Sequence, residues 1–138
     1  MKAKKSLVLM LISFTSFLAV VIFLRNNNLA NSFFSLFAVV PYYDKISHFV
    51  LMGILAFLAV MSISPLLSYS RTKSTLIVLG TVLTLVAIEE YSQLFIATRT
   101  FSLADFVCDF FGVAIFGSIG HLSIDKRQES KNKAFIQK

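Results

Sequence analysis

The feature that most constrains this chain is an apolar run that carries no charged residue from Ser6 to Leu24. A bilayer core of about 30 Å is crossed by roughly 20 helical residues, so this run is long enough for one membrane span. A signal peptide has a shorter apolar core and a small-residue cleavage site. The segment Leu29–Ser32, LANS, is a poor site of that kind. We therefore predict that the first span is retained.

Three further apolar runs occupy 46–67, 75–97 and 101–124. Soluble domains carry about 25% charged residues, whereas 14% of this chain is charged. The chain is therefore predicted to be an all-α, polytopic membrane protein with four transmembrane helices. It is expected to form one domain, 1–138, whose motif-bearing core is about 41–120.

The segments between the spans differ in character. Residues 26–43 contain an Asn-rich turn and an apolar stretch too short to span. This stretch is predicted to be a short interfacial or re-entrant helix stopped by Pro41, or else a packed loop that covers the polar site. Pro65 is expected to kink or end the second span. A very short loop is predicted around Arg99, and a charged, mobile tail at 125–138.

The net charge of +6 is carried largely by basic residues at the two termini, beside apolar runs. Attraction to anionic headgroups accounts for that placement, and because no nucleic-acid motif occurs, the predicted partners are membrane lipids and not nucleic acid. Ten of the 13 Lys and Arg residues flank one side of the four spans, and three flank the other: Arg25, Lys45 and Arg99. This bias predicts that both termini are cytoplasmic. The loop around Arg99 would then face outward.

Four carboxylates interrupt the third and fourth apolar runs: Glu89, Glu90, Asp105 and Asp109. Each charged group near the middle of a membrane helix costs roughly 2.5–3.5 kcal/mol on insertion scales. Such residues must therefore face inward, pair, protonate or line a wet cavity. The single cysteine, Cys108, excludes an intramolecular disulfide and a Cys-type zinc site.

Helical periodicity places the polar residues of each span on one face, because successive residues are about 100° apart. Glu90 precedes the hairpin tip near Arg99 by about as many residues as Asp109 follows it, so both are expected roughly 12–15 Å below the outer surface. Gln93 and Asp105 are expected to pair in a shallower layer. Because lipid-exposed charge is costly, one polar cavity is expected to open outward between the second, third and fourth spans. The side chains expected to converge in it are His48, Glu90, Arg99, Asp105 and Asp109. The three predicted polar stripes are Asp44, Lys45 and His48; Glu89, Glu90 and Gln93; and Ser102, Asp105, Asp109 and Gly112.

Four short blocks of this sequence resemble the VanZ-like family, named for an accessory protein of glycopeptide (teicoplanin) resistance. They are DKISHF at 44–49, EEYSQ at 89–93, TRTFSLAD at 98–105 and DFFG at 109–112. The family pattern is D-K-x-x-H-F, E-x-x-Q, R-x-x-x-x-x-D and N-x-x-G, and the order, spacing and span positions agree over roughly half the chain. The departure is Asp109, where the family usually has Asn. The resemblance implies an architecture and a site but no reaction, and it places the following residues at motif positions: Asp44, Lys45, His48, Glu89, Glu90, Gln93, Arg99, Asp105 and Gly112.

The candidate residues divide into three predicted roles. The catalytic candidates are His48, Glu89, Glu90, Asp105 and Asp109; the binding candidates are Asp44, Lys45, His48, Gln93 and Arg99. One histidine among carboxylates suits Mg²⁺ or Mn²⁺ better than Zn²⁺, and the candidate ligands of such a divalent cation are His48, Glu90 and Asp109.

Each of these roles has a structural alternative. Asp44 can cap the second span, Lys45 can snorkel to headgroups, and His48 can be the hydrogen-bonded partner of an acid. Arg99 can neutralise two carboxylates instead of binding a substrate anion. His121 is expected at the cytoplasmic interface, and Gly112 is expected to permit close helix packing.

Two functions from different classes follow. The first is an envelope enzyme of the bacterial cytoplasmic membrane, in which acid/base or divalent-metal chemistry acts on an amphiphilic, lipid-linked substrate. The second is a non-catalytic module that binds an amphiphile or shapes an envelope complex. The oligomeric state is left open, and no nucleophile, zinc-protease or P-loop motif is present.

Overall fold

The computed structural model describes residues 2–29, 31–37, 39–97 and 99–136, and these are helical with no strand. The helices are α1 (Lys2–Asn26), α2 (Asn31–Phe37), α3 (Tyr43–Ile63), α4 (Arg71–Ser92) and α5 (Leu103–Ile136). Four of them contain segments long and apolar enough to cross a membrane: 5–26, 43–66, 71–95 and 103–126. For the described residues, the prediction of an all-α chain with four helices long and apolar enough to span a membrane is confirmed.

The ends of the helices differ from the predicted ends where polar residues begin or extend a helix. Helix α4 begins at Arg71, one turn before the predicted Thr75. Helix α5 continues through the predicted tail to Ile136, since charged residues are good helix formers once a helix has begun. The predicted loop residue Thr98 and the last two residues, Gln137 and Lys138, lie outside the described residues.

The two prolines lie at helix boundaries. Helix α3 ends at Ile63, and Pro65 lies in the single 3₁₀ turn Ser64–Leu66 that follows it; the expected end at Pro65 is confirmed. The segment before α3 contains the predicted short helix, α2, which ends at Phe37 before Pro41 is reached. Tyr42 then takes a left-handed backbone, φ 58°, at the turn into α3.

Helix α3 is the centre of the bundle. It packs most extensively on α5 and also contacts α1 and α4. The buried core is built mainly from small and β-branched side chains: Ala56, Ala59, Val60, Val78, Val82, Val86, Val113 and Ile124. Small residues at helix interfaces allow backbones to approach closely within a membrane.

Two glycines of α5 show how close the approach to α3 is. A Cβ placed on Gly112 would overlap the carbonyl oxygen of Phe49, and one on Gly120 would lie 3.3 Å from the carbonyl oxygen of Phe57. Because the obstacle at Gly112 is backbone and not a movable side chain, any larger residue there requires the helices to separate. The predicted packing role of Gly112 is confirmed.

The opposite end of the bundle from the α4–α5 turn has its own polar contacts. Thr75 Oγ1 lies 2.9 Å from His121 Nδ1 and 3.3 Å from Ser64 Oγ. Arg71 forms an ion pair with Asp125. These contacts tie the start of α4 to the later part of α5, well away from the acidic residues of the candidate site.

Candidate functional site

Two side-chain pairs join α3 to α5 near the α4–α5 turn. Lys45 Nζ lies 3.3 Å from Asp105 Oδ1, and His48 Nδ1 lies 3.1 and 3.2 Å from the two carboxylate oxygens of Asp109. The two pairs are one helical turn apart on both helices, because Lys45 and His48 are spaced by three residues and Asp105 and Asp109 by four. Lys45 therefore has a carboxylate partner within the protein, whereas the alternative role in Sequence analysis placed its charge only among lipid headgroups.

Glu90 is held by the start of α5. It is 1% exposed, and its Oε1 accepts a 2.8 Å hydrogen bond from the backbone N–H of Ser102. Gln93 Nε2 donates to Glu90 Oε2 and to both carboxylate oxygens of Glu89, each at 3.2 Å. Gln93 thus bonds within its own helix segment, and the expected pairing of Gln93 with Asp105 is not the one formed.

His48, Glu90 and Asp109 converge from three helices. Their ligand atoms lie within 4.8 Å of one another, and so do those of Asp44, His48 and Asp105. One imidazole nitrogen with carboxylate oxygens is a donor set suited to Mg²⁺ or Mn²⁺. The groups also satisfy one another as they stand, since His48 bonds Asp109 and Glu90 accepts from Ser102. A cation bound through His48 Nδ1 would have to replace the His48–Asp109 contact.

An ion pair with α1 adds to the contacts at the N-terminal end of α3. Arg25 Nη1 lies 2.9 Å from Asp44 Oδ1. Asp44 is in the first turn of α3, where the residue before the helix is Tyr42 and no side chain caps it; the alternative role of Asp44 as the cap is wrong. Arg25 was not among the predicted site residues. Its position, at the end of the first apolar run and on the same side as Asp44, is the signal that would have identified it.

A cavity of about 60 Å³ lies beside these pairs, between α1 and α3. On the same measure a single water needs roughly 10–15 Å³, so the cavity holds a small chemical group. Glu90, Asp105 and Asp109 do not border it, although the polar site was expected to open between the second, third and fourth spans. His48 belongs to both the acidic cluster and the cavity wall. The lining residues are Leu18, Val21, Ile22, Arg25, Ser47, His48, Leu51, Met52, Glu89 and Arg99.

Arg99 borders this cavity from the turn between α4 and α5. Burial, and next the positive charge of Arg25, lower the pKa of Arg99 below its ordinary value, and the guanidinium nevertheless stays protonated at neutral pH. Within the part of the chain that the structure describes, its side chain makes no hydrogen bond or ion pair. The alternative in which Arg99 directly neutralises two carboxylates is therefore not the arrangement found.

A comparison with protein-family models, with curated proteins and with solved structures finds no match to this chain.

Proposed function

We propose that this chain is a VanZ-like, four-span protein of the bacterial cytoplasmic membrane whose outer polar site binds an amphiphilic, lipid-linked envelope molecule. Four membrane-length helices support the multi-pass placement. The ten-to-three distribution of Lys and Arg supports cytoplasmic termini and a site that faces outward. Handling of such envelope lipids is the proposed link to glycopeptide (teicoplanin) resistance.

The observation that carries this proposal is the cavity between α1 and α3. Its walls combine apolar side chains with His48, Glu89 and two arginines. Ligand sites are typically apolar with a small number of polar groups that fix orientation. At about 60 Å³ the cavity accepts one end of an amphiphile, while the remainder lies in the bilayer.

Binding without chemistry is favoured by the way the buried carboxylates are satisfied. Asp105 is paired with Lys45, Asp109 with His48, and Glu90 with the Ser102 N–H. Buried charges that are paired and hydrogen-bonded make a stable scaffold, and these pairs fix α3 against α5 and hold the start of α5 beside α4. The acidic cluster then positions His48 at the cavity wall.

The second candidate is an acid/base or divalent-metal-assisted enzyme that acts on a lipid-linked substrate. The convergence of His48, Glu90 and Asp109 within 4.8 Å favours it, because His48 also borders the cavity. A general base must lie within hydrogen-bond reach of the proton that it removes. Only His48 of the three meets a molecule in the cavity directly.

The cavity itself provides the first test. Val21→Trp places an indole in the cavity, whereas Val20→Trp, at a neighbouring side chain that is 56% exposed, places it in lipid. We expect Val21→Trp to abolish a teicoplanin-resistance phenotype and Val20→Trp to retain it, at equal membrane abundance of both variants. Equal phenotypes at equal abundance would refute amphiphile binding at this cavity.

Glu90→Gln separates the two candidates. Gln keeps the shape and the acceptor for the Ser102 N–H but cannot exchange protons or bind a metal strongly. If the Glu90 carboxylate exchanges protons or binds a metal during a reaction, the phenotype disappears while abundance and melting temperature are unchanged. If the network is a scaffold, as proposed, phenotype and abundance fall in proportion, because an amide has one acceptor oxygen for the two donors, the Ser102 N–H and Gln93 Nε2. The measurement is quantitative immunoblotting of membranes beside teicoplanin sensitivity of the same strains.

A further inference from the structure

Arg99 is the cation of the candidate site that the described residues leave without a direct partner. It is not fully exposed, and a partly desolvated charge is stabilised only when it is paired or hydrogen-bonded. Glu89 also borders the cavity, but its carboxylate is engaged by the Gln93 amide. The guanidinium of Arg99 is thus left facing a cavity.

Arg25 brings a second guanidinium to the same cavity. Its bond to Asp44 at 2.9 Å fixes it in position at the end of α1. Like charges repel, and the Arg25 charge is, after burial, a cause of the lowered pKa of Arg99, against the opposite effect of the Glu89, Asp44 and Glu90 carboxylates. An anion held between the two guanidinium groups would relieve this repulsion and would supply the missing partner of Arg99.

Beyond the polar groups near the arginines, the cavity wall continues along α1 and α3 as apolar side chains. On α1 the lining side chains Ile22, Val21 and Leu18 follow Arg25 back along the helix, and Leu51 and Met52 face them from α3. At a rise of about 1.5 Å per residue, Leu18 lies roughly 10 Å deeper in the membrane than Arg25. The lining therefore changes from cationic to apolar over about the length of a headgroup and the first carbons of an acyl chain.

We propose that the α1–α3 cavity binds the phosphodiester headgroup of an outer-leaflet lipid, with Arg25 and Arg99 as its ligands and the acyl chain beside Leu18 and Leu51. The planar guanidinium group matches phosphate oxygens in paired hydrogen bonds. Glu89 lies on the same cavity wall and its charge acts on Arg99, but the two form no ion pair among the described residues. A phosphodiester would supply the direct partner that Arg99 lacks there. This inference rests on the proposed function, since it names the chemical class of the amphiphile.

The test uses the full chain in an uncharged detergent and three probes: phosphatidylglycerol, the diacylglycerol with the same acyl chains, and inorganic phosphate. Binding is measured by native mass spectrometry and by the melting temperature, followed through reaction of the single cysteine, Cys108, with a thiol dye. We expect phosphatidylglycerol to bind and to raise the melting temperature, and neither of the other probes to do so. Equal binding of diacylglycerol would overturn the phosphate assignment, and equal stabilisation by inorganic phosphate would overturn the lipid assignment.

Arg99→Gln should weaken phosphatidylglycerol binding at least tenfold, and Arg99→Lys should weaken it less because the charge remains. Since Arg99 has no direct partner among the described residues, neither variant should lower the melting temperature of the lipid-free protein. Lys73→Gln, which removes one positive charge at the other end of α4, should leave binding unchanged. Unchanged binding to Arg99→Gln, or an equal loss with Lys73→Gln, would overturn the proposal.

The outcomes also distinguish this inference from the function on which it rests. If Val21→Trp abolishes the phenotype but lipid binding does not depend on Arg99, the phosphate assignment fails and amphiphile binding stands. If lipid binding depends on Arg99 but Val21→Trp leaves the phenotype intact, the site binds a phospholipid and the proposed function fails.

Discussion

Replacing Gly112 by Ala should damage the site through the backbone. The new Cβ would overlap the Phe49 carbonyl oxygen and lie 3.2 Å from the Gly53 nitrogen, both on α3. An ordinary carbon–oxygen contact is about 3.3–3.6 Å, so the two helices must part by roughly 1 Å. Gly112 is within one turn of Asp109, and Phe49 is adjacent to His48. The separation of the helices therefore lengthens the His48–Asp109 hydrogen bond directly.

The loss in the free energy of unfolding can be estimated from the His48–Asp109 hydrogen bond. Adding about 1 Å to the 3.1 Å between His48 Nδ1 and Asp109 Oδ1 exceeds the distance of a hydrogen bond. Overpacking costs about 1–3 kcal/mol and a lost hydrogen bond to a charged group about 1.5–3 kcal/mol. Because the two losses share one movement, we expect a total of roughly 2–4 kcal/mol. For a chain of this size that corresponds to a melting temperature lower by about 8–16 °C.

Gly80→Ala is the matched control, since a Cβ at Gly80 meets nothing within 4 Å. It adds the same methyl group to a helix and should leave the melting temperature unchanged or slightly raised. Both variants are measured in detergent through the reactivity of Cys108 on unfolding. If Gly112→Ala and Gly80→Ala melt within a degree or two of each other, the close backbone contact does not support the site.

Three further predictions concern topology, the acidic cluster and the metal alternative. In a Cys108→Ser background, an impermeant thiol reagent applied to intact cells should label Thr100→Cys and not Lys133→Cys; the reverse pattern would place the site on the cytoplasmic face. Asp109→Asn keeps an acceptor for His48 and should cost less than about 1 kcal/mol, whereas Asp109→Leu, which breaks the buried pair, should cost about 3–5 kcal/mol; equal melting temperatures would contradict the role of that pair. Millimolar Mg²⁺ or Mn²⁺ should shift the melting temperatures of the wild type and of His48→Gln equally, and a shift confined to the wild type would favour the metal-assisted enzyme.

The sequence alone determined the helical class and the approximate spans, because span length depends on the hydrophobicity of consecutive residues. The run from Ser6 to Leu24 lies within α1, and Pro65 falls just after α3 ends. The continuation of α5 to Ile136 was missed, since the charged tail lacks the apolar signal of a span although its residues favour a helix.

The sequence also identified the acidic residues that face inward. The cost of exposing a carboxylate to lipid applies to each residue separately, so Glu90, Asp105 and Asp109 were candidates from their positions within apolar runs. All three are buried in the structure. Their functional roles stay predictions, because a buried carboxylate is expected both in a structural network and in a catalytic site.

Only the tertiary structure decided which charges meet. Helical periodicity fixes the angle of a residue on its own helix, but partners depend on the rotation and separation of helices distant in sequence. Those are set by small-residue contacts such as Gly112 against Phe49. From the sequence, Arg25 was therefore used only as a positive charge that flanks a span, although in the structure it binds Asp44. Arg99 was expected to join the acidic cluster, yet it lies beside the cavity on the α1 side, because the packing of α1 on α3 places that cavity next to the α4–α5 turn.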